Sequence, residues 1–136
     1  MISSAWGPPA WTTFHTIAYN YSNLDSYTEE IKQNYKEFFR FLGKVLPCRY
    51  CRESYAIFTK MLPIDPYLQY PMGPMYWSYL IHNMVNDKLR KQGNLLPPNP
   101  PFALVCEHYK KLKSKKCKKP GETTICSNKS FTCSHA

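Results

Sequence analysis

The chain has 136 residues, of which 43% are hydrophobic, 15% aromatic and 20% charged, a composition too apolar for disorder and sufficient for one modest core with a tail. Its net charge of +9 arises from 18 Lys and Arg against 9 Asp and Glu. Seven of those lysines lie between Lys110 and Lys119, so the remainder is nearly neutral and a uniformly basic domain is excluded.

Two uncharged stretches, Met1 to Leu24 and Pro66 to Asn86, have the length of a membrane span. Each is interrupted by proline, histidine and asparagine where about 20 predominantly apolar residues are required. The apolar periodicity is helical throughout, and strands are hardly signalled. A first helix is predicted over Pro9 to Tyr21, with Pro8 and Pro9 in its first turn and Trp11, His15, Ala18 and Tyr19 at helical spacing. A second runs from Thr28 to Leu46: Thr28 caps it, and Ile31, Tyr35, Phe38, Phe39, Leu42 and Leu46 make its apolar stripe. Pro47 stops it, and a third helix is expected from Cys48 to Leu62. Pro63, Pro66, Pro71 and Pro74 then form a connection without regular helix. A fourth helix spans Met75 to Gln92 and closes at Gly93; a shorter fifth starts near Pro101 and continues into the lysine run. The predicted class is all-α: a four-helix bundle with a short fifth helix and an irregular C-terminal tail, divided into a domain over 1–110 and a tail over 111–136.

Six cysteines without a visible secretory signal are unusual for a chain in a reducing compartment. Either a metal holds these thiols or redox exchange is their purpose. Cys48-Arg49-Tyr50-Cys51 follows Pro47 at a helix start, where free N–H groups, with Arg49 and Arg52, favour a thiolate. Two cysteines one turn apart can also close a disulfide and so carry two electrons. A zinc site would need a second pair at tight spacing, and Cys106, Cys117, Cys126 and Cys133 are spread too widely, so no metal is expected. A thioredoxin-like domain would need βαβ elements that the chain does not signal.

On the fourth helix His82 and Asn86 share a face, with Asn83 adjacent, inside an otherwise apolar run. Buried groups of this kind need partners. A bound polar ligand would satisfy all three, its aromatic part stacking on His82 or Trp77. Trp11 and His15 repeat the pairing on the first helix, which suggests facing helices holding a flat, polar-edged cofactor.

Three ordered motifs, Trp6-Gly7 through Trp11 to His15, Pro47 to Cys51, and Trp77 to Lys91, resemble the Erv/ALR FAD-linked sulfhydryl oxidases over about residues 5–110. The resemblance implies a helical bundle holding FAD non-covalently against the CxxC disulfide. Cys51 would face the flavin as an ionised thiolate, and Cys48 would exchange with the incoming thiol. Gly7, Trp11 and His15 on the first helix, with His82, Asn83, Asn86, Lys88 and Lys91 on the fourth, match cofactor-contacting positions. Dithiol proteins would be the substrates, molecular oxygen the acceptor and hydrogen peroxide the product, in a homodimer formed through the first two helices.

Tyr79 departs from the family pattern. Many members have there a cysteine whose disulfide partner falls near Leu96, so the staple is missing and Tyr79 is expected to contact the cofactor instead. Members lacking it resemble the compact enzymes of large DNA viruses. That implies a host cytoplasm or virion location; otherwise an oxidising compartment such as the mitochondrial intermembrane space is implied. Members also carry a shuttle disulfide on a flexible arm; Cys106, Cys117, Cys126 and Cys133 allow three pairings between which the sequence does not choose, with Cys126–Cys133 the preferred shuttle pair and Cys117–Cys126 its close rival. The lysine run is expected to be a solvated face or a dock for acidic substrates rather than a nucleic-acid site, since no base-reading motif accompanies it.

Overall fold

The computed structural model describes residues 1–113. The described residues form five α-helices: α1, Ser3–Asn20; α2, Glu29–Val45; α3, Arg49–Met61; α4, Gly73–Lys91; and α5, Phe102–Lys113. No strand occurs among the described residues, as the all-α reading expects. The helices pack in the order α2–α3–α4–α1, and α5 lies on α1. Among the described residues no helix is long and apolar enough to cross a membrane.

Most boundaries follow from local chemistry. The Thr28 hydroxyl accepts from Ile31 N at 3.3 Å, Glu29 and Glu30 occupy the first turn of α2, and Lys44 its last, each placed to oppose the helix dipole. Gly93 adopts φ +86°. Its N–H reaches the Arg90 carbonyl and that of Asn94 reaches Leu89, the paired bonds that close a helix through a left-handed residue. The first helix differs from expectation. It begins at Ser3, so Pro8 and Pro9 stand inside it rather than in its first turn. Lacking N–H groups, they withhold donors from the carbonyls one turn back, which a helix tolerates near its start more readily than in its middle. Pro74, expected in the connection, instead occupies the first turn of α4, and the proline-rich connection contains a short 3₁₀ turn, Asp65–Gln69.

Aromatic side chains fill the core and also hold the connections. Tyr21 Oη donates to the Leu68 carbonyl at 2.7 Å, Tyr55 Oη to Phe39 at 2.8 Å and Trp77 Nε1 to Leu62 at 2.8 Å. Each places a ring in the core while its polar atom finds a carbonyl: Leu68 in the turn before α4, Leu62 at the end of α3, and Phe39 inside α2. Trp77 is 2% exposed and packs edge-on to Phe39, so the expectation that a ligand stacks on it is corrected: its ring and its N–H are both committed to the core.

Gly73 marks the tightest approach. A Cβ there would lie 1.7 Å from the Tyr67 carbonyl oxygen, and a backbone oxygen can yield only by moving the 3₁₀ turn. Gly73→Ala should therefore destabilise the fold by about 3 kcal/mol, lowering the melting temperature by about 10 °C in a thermal scan.

Candidate functional site

Cys48 is the N-cap of α3, and its Sγ accepts from the Cys51 amide at 3.3 Å. Both cysteines are free and half-buried. The structure assigns them unequal acidities. The Cys51 thiol, followed by the amides of Cys51 and Tyr50 and by Lys88, pulls the Cys48 pKa down. Burial, followed by the hydrogen bond and charge of Cys48, pushes Cys51 up to about 11. The expectation of a helix terminus keeping Cys51 ionised is thus corrected for the dithiol state: the cap position belongs to Cys48, and Cys51 lies one turn inside against the core. The arginines contribute less than expected to Cys48. Arg49 turns to Glu53 at 2.9 Å, and Arg52 donates to the Leu46 carbonyl, bracing the α2–α3 connection.

Beside the pair a cleft of about 570 Å³ opens between α3 and α4. Tyr50, Ser54, Ile57 and Phe58 line it from α3, and Met84, Lys88 and Lys91 from α4. Lys88 Nζ donates to Ser54 Oγ across it. The cleft combines an apolar floor with two cations, Lys88 and Lys91, and two carboxylates, Glu53 and Asp87, each of which is paired with an arginine of its own helix, Arg49 and Arg90.

The second cluster joins α1 to α4. His15 Nε2 and His82 Nδ1 are 2.9 Å apart, and His15 Nδ1 lies 2.8 Å from Ser78 Oγ. Trp11 stacks on His82 with centroids 4.0 Å apart and planes 6° from parallel. No third ring fits in that spacing, so a flat ligand can stack only on the outer faces. Burial, then the His82 charge, drives the His15 pKa down to about 3, and burial drives His82 to about 4. Both rings are neutral at neutral pH.

The facing histidines and Trp11 come together as the sequence predicts, while other expected residues separate. At 3.6 residues per turn, Met84 lies about 200° around α4 from His82. Lys88 and Lys91 therefore stand on the far side from the histidines. Asn86 Nδ2 donates to Asn99 Oδ1 at 3.2 Å, holding the segment after α4, whereas Asn83 makes no side-chain hydrogen bond among the described residues. Tyr79 Oη donates to the Pro100 carbonyl at 2.8 Å, and its ring packs with Tyr76 and Phe102. Tyr79 thus makes a non-covalent tie on the same segment that the missing staple would anchor. A Cβ at Gly7 would meet nothing within 4 Å, so the fold itself does not demand glycine there. Trp6 Nε1 is buried without a partner.

Ser78, Ser54 and Asn99 are site residues that the sequence reading missed. Ser78 had a legible signal, a small polar residue one turn before His82 in an apolar run. Ser54 and Asn99 are polar residues at half-exposed positions and announce nothing. Among the described residues no three His, Cys, Asp or Glu converge on one point. Cys117, Cys126 and Cys133 lie outside the described residues.

The Erv1/Alr family profile matches residues 8–99. A probable FAD-linked sulfhydryl oxidase of Acanthamoeba polyphaga mimivirus is 37% identical over 87 residues, which are 63% of this chain and 59% of that protein. An FAD-linked sulfhydryl oxidase of African swine fever virus is 29% identical over 89 residues, 64% of this chain and 70% of the relative. The mitochondrial FAD-linked sulfhydryl oxidase ERV1 of Saccharomyces cerevisiae is 27% identical over 85 residues, 62% of this chain and 43% of the relative. The chain thus spans less than two thirds of the mimivirus and yeast proteins.

Proposed function

This chain belongs to the Erv1/Alr family, and on that premise we propose that it is a thiol oxidase that converts substrate dithiols to disulfides at Cys48 and Cys51. FAD, when bound, supplies the two-electron relay from thiol to oxygen, with hydrogen peroxide as the product. The residues present fit that group. Trp11 and His82 offer stacking faces, Asn83 and Trp6 Nε1 offer unpartnered polar groups, and Lys88 and Lys91 offer charge for a pyrophosphate. Their division between two sides of α4 suits a long, two-ended ligand better than a compact one.

The carrying observation is the acidity order at the α3 cap. A substrate thiolate attacks Cys48 Sγ of the disulfide, the Cys48–Cys51 bond breaks, and Cys51 leaves as the free sulfur. A second substrate thiolate then attacks the substrate sulfur of the mixed disulfide and expels Cys48, whose lowered pKa makes it a good leaving group. While Cys48 is held in the mixed disulfide, its charge and its claim on the Cys51 proton are gone. Two of the three causes that raise Cys51 then vanish, leaving burial opposed by Lys88 and Arg52. The Cys51 pKa therefore falls from its dithiol-state value at the stage when its electrons must leave, which favours the thiolate more than the resting dithiol does. Oxygen consumption with dithiothreitol should release one peroxide per disulfide formed; disulfide formation without peroxide contradicts the assignment of oxygen as acceptor.

The physiological substrates in this reading are dithiol proteins, and the assembly is a homodimer through α1 and α2. The exposed row Phe38, Phe41 and Val45 on α2 supports the latter. Viral and mitochondrial relatives support either a host cytoplasm or virion location, or the intermembrane space. Cys126 and Cys133 serve as the shuttle pair. Replacing either by serine should leave dithiothreitol oxidation unchanged and slow a reduced protein substrate about tenfold; equal losses on both would remove the shuttle role.

A further inference from the structure

The contact between His15 and His82 has a direction, and Ser78 sets it. Ser78 is 1% exposed, and its Oγ lies 3.0 Å from the Met75 carbonyl and 2.8 Å from His15 Nδ1. A carbonyl has no proton to give, so the hydroxyl proton occupies the Ser78–Met75 contact and Oγ accepts from His15 Nδ1–H. Turning the hydroxyl toward His15 would leave two oxygens facing each other with lone pairs alone, at a place water does not reach. A neutral imidazole protonated at Nδ1 carries a lone pair at Nε2. His15 Nε2 therefore accepts across its 2.9 Å contact, and His82 Nδ1–H donates. The His82 ring is left with a bare Nε2. That nitrogen has no hydrogen bond among the described residues, and Trp6 Nε1 is the one buried side-chain nitrogen or oxygen there without a partner, so His82 Nε2 reaches solvent.

We propose that Ser78 is a positioning residue: acting through His15, it fixes the tautomer of His82 so that His82 Nε2 accepts a hydrogen bond from an N–H or O–H of the bound cofactor. Only the last link rests on the flavin reading; the order of protons belongs to the chain itself.

Long-range proton–nitrogen-15 correlation spectra of the full chain read each ring's tautomer directly. Both His15 and His82 should carry the proton on Nδ1 at neutral pH, and an Nε2–H tautomer at either ring overturns the proposal. Ser78→Ala should release His15 into a tautomer mixture and weaken FAD binding about tenfold, the loss of one buried hydrogen bond. Unchanged tautomers in that variant also overturn it. Titrating the unmodified protein with FAD should shift the His82 Nε2 resonance toward its hydrogen-bonded position. FAD binding without that shift removes the last link. Failure to bind FAD removes both that link and the functional reading, while the tautomers of the free protein still decide the rest.

Discussion

Replacing Cys51 by serine should reduce dithiothreitol-driven oxygen consumption to about one hundredth or less of the unmodified rate while leaving FAD bound. The substitution preserves size, and Tyr55, one turn further along α3, keeps its bond to the Phe39 carbonyl, so the helix and the neighbouring cleft persist. What is lost is the sulfur that closes the disulfide with Cys48 and accepts its electrons. Cys48 in such a variant still forms mixed disulfides but cannot pass electrons on. Alanine at 51 adds a second readout. It removes the thiol that is the largest cause of the lowered Cys48 pKa, so alkylation of Cys48 by iodoacetamide should begin at higher pH than in the unmodified dithiol form. An alkylation profile that does not move would mean the helix-cap amides alone hold the thiolate.

Mild acid should destabilise the protein well before its carboxylates titrate. His15 and His82 have pKa values near 3 and 4 in the folded chain against 6.5 in the unfolded one. Below pH 6.5 the unfolded chain takes up protons that the native pair refuses, so the stability present above that pH is lost as pH falls through the folded values. Each histidine contributes about 1.4 kcal/mol per pH unit in this window, and the two together cost about 4 kcal/mol by pH 5, close to the lower end of the whole stability of a small domain. Glu37, lowered by its bond to Arg40, acts only in a more acid range. Melting temperatures should therefore fall steeply between pH 6.5 and 5. A flat profile there would mean that the His15–His82 contact accommodates a proton.

The helices were legible because their ends are written in single residues: Thr28 as a cap, Pro47 as a stop, Gly93 as a left-handed closure. The start of α1 was not, because a proline pair reads as a boundary unless something beyond it continues the helix. The CxxC, Trp11, His15 and His82 were legible from type and spacing; the fold places Cys48 at the α3 cap and brings Trp11, His15 and His82 into contact. Trp77 was misread because an aromatic residue beside a histidine has the same pattern whether it faces a ligand or the core. The Cys51 acidity was misread for a related reason. A helix terminus is visible in sequence, but the burial that outweighs it depends on where α3 packs. The division of α4 into a histidine side and a lysine side was available from 3.6-residue periodicity alone. Tyr79 shows the reverse situation: the absent cysteine was plain, and the substitute, a hydroxyl reaching the Pro100 carbonyl, needed three-dimensional contact to be seen.

The proposed oxidation requires a flavin placed to receive electrons from the Cys48–Cys51 pair. The visible absorption spectrum of the purified full chain, recorded without oxygen before and after adding dithiothreitol, tests it most directly. A yellow protein holding about one FAD per chain, bleached by the dithiol in the unmodified form and unbleached in Cys51→Ser, is the predicted result. A colourless protein that takes up no FAD, or a bound flavin that the dithiol bleaches equally well without Cys51, would contradict it.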